Sequence, residues 1–169
     1  MKKLTTAEFN TQRIDDKSNK TPISRVYRYG HPTDTLIEGA HLVACVHMQA
    51  RYVVFVAHDN PVANKLSIHL LDAELKPLDG INIGFSLGEA YAFKGLRLYT
   101  HDQMGFQFLG QNTWIVQVHE EPLWRLPYCS DPLGTRRIQP VQWLRYVTIS
   151  RTRQAFIPRK QSGLGWAPA

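Results

Sequence analysis

The sequence predicts a mainly β domain of α+β type, an antiparallel meander forming a barrel or sandwich-like sheet with one or two short helices. Three observations lead there. Between Gly39 and Leu71, three apolar runs are separated by connections too short for a crossover helix, whereas parallel pairing needs roughly a dozen connecting residues or more. Alternation within those runs gathers apolar side chains on one face. Beyond Leu71 the chain continues in short runs rich in Ile, Val, Phe and Trp, punctuated by Gly, Asn, Asp and Pro, the composition of strands and turns.

Thr5-Thr6-Ala7-Glu8 fits a capping box, with Glu8 reaching back to the threonine amide, and predicts a short helix to about Arg13. The polar stretch from Asp15 to Pro22 reads as a loop. Residues 1–22 therefore form a short helix and polar loop, 23–160 a single β-rich domain, and 161–169 a flexible tail. Ile23 to Tyr29 is the first strand.

In the meander, a turn centred on Gln49-Ala50 pairs Met48 with Arg51, Val46 with Val53, Cys45 with Val54 and His41 with His58. A loop over Asp59 to Asn64 pairs Phe55 with Ile68 and Val54 with His69. One face then carries Leu42, Ala44, Val46, Val53, Phe55, Ala57, Leu66, Ile68 and Leu70, which has to be core. The other carries His41, Val43, Cys45, His47, Tyr52, Val54, Val56, His58, Ser67 and His69, so four of the seven histidines share it. Gln49 and Ala50 are not the residues a tight hairpin prefers, which points to a longer turn.

Ile81-Asn82-Ile83 reads as a short strand running into Gly84 to Glu89 and a brief helix ending near Gly95. Leu96 to Thr100, Phe106 to Leu109 and Trp114 to His119 are further strands. Pro122, Pro127, Pro132 and Pro140 break the next segment into irregular chain. Val141 to Ser150 alternates as a strand, with Ala155 to Pro158 as its expected partner.

Several classes are disfavoured. No run approaches the roughly 20 apolar residues of a membrane helix, and Met1 to Glu8 lacks the apolar core of a secretory signal. A cytoplasmic protein without membrane partners is expected. Cys45 and Cys129 have no metal-type spacing and imply no disulfide framework. The chain has no G-x-G-x-x-G, phosphate loop, H-E-x-x-H or C-x-x-C, so no cofactor is expected.

Charge is uneven. Residues 1–28 carry seven Lys/Arg and three acids, 29–130 six and ten, and 131–169 seven and one, giving +4, −4 and +6. Basic flanks around a mildly acidic centre point to an acidic partner, nucleic acid or an acidic protein surface. The C-terminal cations Arg136, Arg137, Arg145, Arg151, Arg153, Arg159 and Lys160 are interleaved with Trp143, Tyr146, Phe156 and Trp166. Cations for phosphates and rings for bases are the two components of single-strand binding.

Two catalytic patterns compete with that reading. Gly84-Phe85-Ser86-Leu87-Gly88 matches the nucleophile elbow, with Asp102 and His119 following in triad order. The elbow belongs to parallel sheets, however, and Ser86 with Glu89 also forms a capping box. On the histidine face, His41 opposite His58 makes a candidate metal pair, since cross-strand Cβ atoms lie roughly 4.5–5.5 Å apart. Cys45 beside His47 or His69 makes a candidate thiolate. The sequence thus favours a non-enzymatic binding or regulatory protein. Its alternatives are a serine hydrolase and an assembly or inhibitor protein acting through protein contacts.

Overall fold

The computed structural model describes residues 1–14, 21–58, 65–84, 93–108, 112–126 and 130–152. Among these the chain forms strands and no helix. The strands are β1 (Lys2–Lys3), β2 (Phe9–Arg13), β3 (Ile23–Arg28), β4 (His31–Glu38), β5 (His41–Met48), β6 (Arg51–Ala57) and β7 (Leu66–Leu71). They continue with β8 (Pro77–Ile83), β9 (Lys94–Leu98), β10 (Gln103–Gln107), β11 (Thr113–Trp124), β12 (Thr135–Arg137) and β13 (Leu144–Thr152).

Three antiparallel sheets result, ordered β1-β5-β6-β7-β8-β12, β13-β11-β10-β9 and β2-β3-β4, and none closes into a barrel. They stack in three layers with the six-stranded sheet in the middle. One of its faces, including Val46, Val53, Phe55, Ile68 and Ile81, packs on Met104, Phe106, Trp114, Val116 and Val147 of the four-stranded sheet. Its other face, with Cys45, Tyr52, Val54, Val56 and Leu71, packs on Phe9, Val26 and Ile37 of the three-stranded sheet. Successive side chains of a strand point to opposite faces, so a strand apolar at every position is buried on both. Six of the six residues of β7 are buried.

The meander register agrees with the sequence reading at Met48↔Arg51, Val46↔Val53 and Cys45↔Val54, and at Phe55↔Ile68 and Val54↔His69. It departs at the start of β5. A register shift between Leu42 and Ala44 makes Leu42 face Val56 and His41 face Ala57. This bulge at Val43 swaps two neighbours: Val43 packs on the first core and Leu42 on the second. An extra residue in one strand reverses the inside-outside sense of everything before it.

The expected N-terminal helix is not formed. Thr5 and Glu8 make half of the capping box, from Thr5 N to Glu8 Oε2 at 2.9 Å, while Glu8 N donates to the Thr5 backbone carbonyl at 3.1 Å and Thr5 Oγ1 to Glu8 Oε2 at 3.0 Å. They close a turn that delivers Phe9 into β2 and the second core. The helix expected before Gly95 falls on residues 85–92, outside the described residues. Pro122 lies within β11, and β13 pairs with β11.

The β5–β6 turn is the two-residue Gln49-Ala50 turn on which the sequence register was centred, and not a longer one. Gln49 and Ala50 both have positive φ, 45° and 59°, as a two-residue type I′ hairpin requires. Holding such residues left-handed costs about 1–2 kcal/mol each. Contacts to the four-stranded sheet offset that cost. Arg51 donates from Nη1 to His119 O and from Nη2 to Glu120 O, each at 2.7 Å, and Gln49 Nε2 donates to Glu120 Oε1 at 2.7 Å. At the other junction Gly39 (φ 129°) leads from β4 towards β5, where an added Cβ would lie 2.3 Å from Val56 Cγ1.

Ala50→Gly relieves the left-handed strain without touching a partner. The expected outcome is a gain of about 0.5–1 kcal/mol, read as a higher urea midpoint at unchanged slope.

Candidate interaction surface

The histidine face lies against the three-stranded sheet, which decides its chemistry. Cys45 is 1% exposed, and burial alone pushes its thiol far above the ordinary range, so it packs as a small hydrophobe. His41 is exposed and no longer opposite His58. Among the described residues, no group of three or more His, Cys, Asp or Glu is placed to hold a metal. His47 lies against the Tyr52 ring at 4.8 Å.

His58 and His69 belong to a polar chain joining β4 to the central sheet. His58 Nε2 lies 2.6 Å from Ser67 Oγ, Ser67 Oγ 2.5 Å from Asn82 Oδ1, and Asn82 Nδ2 3.1 Å from Glu38 Oε2. Lys65 Nζ reaches the same Glu38 oxygen at 3.4 Å. The bonds have one consistent direction. Asn82 gives its amide hydrogen to the carboxylate, Ser67 spends its single proton on Asn82, and His58 must donate to Ser67. Ser67 is therefore paired with a histidine that cannot act as its base, and it is 0% exposed. His69 Nε2 sits 2.8 Å from Glu38 O.

The titration of this chain follows from its surroundings. Burial, with Lys65 adding, lowers the His58 pKa to about 4, and burial lowers that of His69. At Glu38 burial opposes ionisation, but the Asn82 hydrogen bond and Lys65 outweigh it and hold the pKa below its ordinary value. The register had already put Ser67 on the histidine face; its partners Asn82 and Glu38 carried no sequence signal.

Asp102, in the β9–β10 turn, and His119, on β11, come near enough for the carboxylate to favour the imidazolium, but each is hydrogen-bonded elsewhere. His119 Nε2 bonds Thr148 Oγ1 at 2.9 Å, while Asp102 accepts from Thr100 Oγ1 at 2.5 Å and Gln117 Nε2 at 3.1 Å. Burial, more than the nearby Arg125, lowers the His119 pKa. Ser86 falls outside the described residues.

The C-terminal arginines divide into two groups. Arg137 and Arg145 are buried, at 8% and 2% exposure. Arg137 makes a bidentate pair with Asp131, Nε to Oδ2 at 2.7 Å and Nη2 to Oδ1 at 2.6 Å, and donates to Val147 O at 2.9 Å. It also approaches both oxygens of Asp79 at 3.4 Å. Arg145 Nη1 donates to Gln139 O at 3.0 Å and lies 3.8 Å from Asp79. Arg136 and Arg151 are exposed, and Arg151 lies over Trp114 at 5.7 Å. Tyr146 is half-buried beneath Arg51 at 5.0 Å. Arg153, Arg159, Lys160, Phe156 and Trp166 fall outside the described residues.

Trp143 belongs to a surface the sequence did not delimit. Beyond its register shift after Val118, β11 runs on with the start of β13 as a two-stranded ribbon, Leu123↔Arg145 and Trp124↔Leu144. Arg125 N donates to Trp143 O at 3.0 Å. Trp124 is 75% exposed, Val141 74%, Leu126 65% and Trp143 49%. Trp124, Val141, Gln142, Trp143 and Leu144 line an open groove of about 570 Å³.

Among the described residues the geometry defines a three-layer antiparallel β-protein with Cys45 and Ser67 buried and an exposed aromatic ribbon. Comparison with protein-family models, curated proteins and solved structures finds no match.

Two outcomes are expected. Asp79→Ala removes the carboxylate beside the buried Arg145 and the acceptor of the Gly80, Tyr146 and Val147 amides, and should cost about 3–5 kcal/mol in chemical denaturation. In a pH series, His58 is held neutral in the fold against an ordinary value of 6.5 and a folded value of about 4, so the unfolded chain binds more protons between those values. Its contribution is complete above pH 6.5 and is lost as pH falls towards 4. His58→Gln should flatten the fall of the urea midpoint across that window; an unchanged slope counts against the assignment.

Proposed function

We propose that the protein is a non-enzymatic binding protein that engages an acidic partner through the cations of its C-terminal segment. One observation carries this reading. Asp131 is the single acid of residues 131–169, and its carboxylate is taken up in the bidentate pair with Arg137. Arg145 is turned inward to Asp79. The remaining cations, Arg136, Arg151, Arg153, Arg159 and Lys160, therefore have no acid within the segment to neutralise them. Arg136 and Arg151 stand exposed. A basic surface without local counter-charge attracts polyanions and releases their counterions on binding. The sealing of Cys45 and Ser67 and the engagement of Asp102 and His119 with neighbours favour binding over catalysis.

The test is fluorescence anisotropy with mixed-sequence single-stranded DNA and RNA, and with poly-glutamate, over a salt series. Binding should weaken with salt, and Arg136→Ala/Arg151→Ala should lower the salt slope for nucleic acid by about 2. Absence of binding to all three polyanions at low salt would discard the proposal.

A further inference from the structure

We propose that the aromatic ribbon of β11 and β13 is a self-association surface whose occupant is a second copy of this chain, packed about a two-fold axis.

The first argument is area. Trp124 and Trp143, 75% and 49% exposed, leave roughly 250–300 Å² of indole in water, taking about 200–250 Å² for a whole side chain. Leu123, Leu126, Val141 and Leu144, all at least 36% exposed, bring the apolar surface to on the order of 600 Å², the upper end for a monomer. One partner of a standard interface buries about 800 Å², of which about 60% is apolar. The ribbon supplies that share.

The second argument is charge. Glu120 and Glu121 precede Trp124 on the same strand and Arg125 follows it, all three exposed. A surface of mixed sign is poorly matched to a polyanion. Alternation sets Glu121 and Arg125 with Leu123 on the ribbon face opposite Trp124 and Leu144, so the groove, lined by Trp124, Val141, Gln142, Trp143 and Leu144, offers a polyanion no cation and an apolar copy of itself a matching surface.

The ribbon edges settle how the copies meet. On β11, Arg51 occupies His119 O and Glu120 O, and Pro122 has no N–H to offer. On β13, Asp79 Oδ2 accepts from Tyr146 N and Val147 N, both at 3.0 Å. Strand addition is closed at these positions, so contact runs through the side chains of the groove.

Sedimentation equilibrium of the full chain between about 5 and 200 μM should give twice the 19.4 kDa chain mass. Trp124→Glu should return the mass to that of one chain while leaving the circular dichroism spectrum unchanged. Leu144→Asp, directly opposite Trp124 on the same face, should weaken association at least tenfold. A single-chain mass across the whole range overturns the proposal, as does a dimer that survives Trp124→Glu. Polyanion binding is read in the same variant. If Trp124→Glu abolishes it while the mass stays that of one chain throughout, the groove belongs to the polyanion and not to a second copy.

Discussion

Asp79 sits where the middle sheet meets the four-stranded one, with its side chain wholly out of water. One oxygen accepts the amides of Tyr146 and Val147, the other that of Gly80 at 2.8 Å, and two arginines approach it. A carboxylate removed from water is stable only when its lone pairs are met. Here they are met by the backbone of β13, the end strand of its sheet among the described residues. The same group therefore satisfies a sheet edge, fixes the position of β13 over β8, and draws inward two arginines that would otherwise be surface charge. The shape of the exposed face follows from this.

The middle layer was the legible part of the fold. Short connections and strict alternation define a meander and its register, because a slip of one residue would turn the apolar face outward. The bulge at Val43 was not legible, since Leu42 and Val43 are both apolar and either can serve either face. The N-terminal layer was hidden for another reason. Each of its strands contributes about one large apolar side chain to the second core, Phe9, Val26 and Ile37, among polar neighbours. No periodic signal arises from one residue per strand, and the capping-box pattern of Thr5 and Glu8 outweighed it.

The candidate sites show the same division. Motif reading finds residue types at set spacings, but what turns Arg145 inward is Asp79, a residue of the middle sheet far away in the chain. What disarms Ser67 is the direction of a hydrogen-bond chain running through Asn82 to Glu38. Both are facts of register and layer, set by elements distant in sequence. The aromatic ribbon was legible only as Trp143 in a basic segment. Its extent depends on β11 running through Pro122 to Trp124, where proline argued for irregular chain.

The three layers also have an order in time. The first 38 residues supply the outer three-stranded sheet, those from His41 to Ile83 most of the middle one, and those from Lys94 to Thr152 the second outer sheet. As the chain leaves the ribosome, the first layer finds its partner once the meander emerges. The other face of the meander, with Val53, Phe55 and Ile68, is then covered in part by β10 and β11 and completed by β13, more than 60 residues after Ile83. Domains folded during synthesis are vulnerable over such an interval. Until then the nascent chain has one incompletely covered apolar face, waiting on the strand whose amides Asp79 is there to receive.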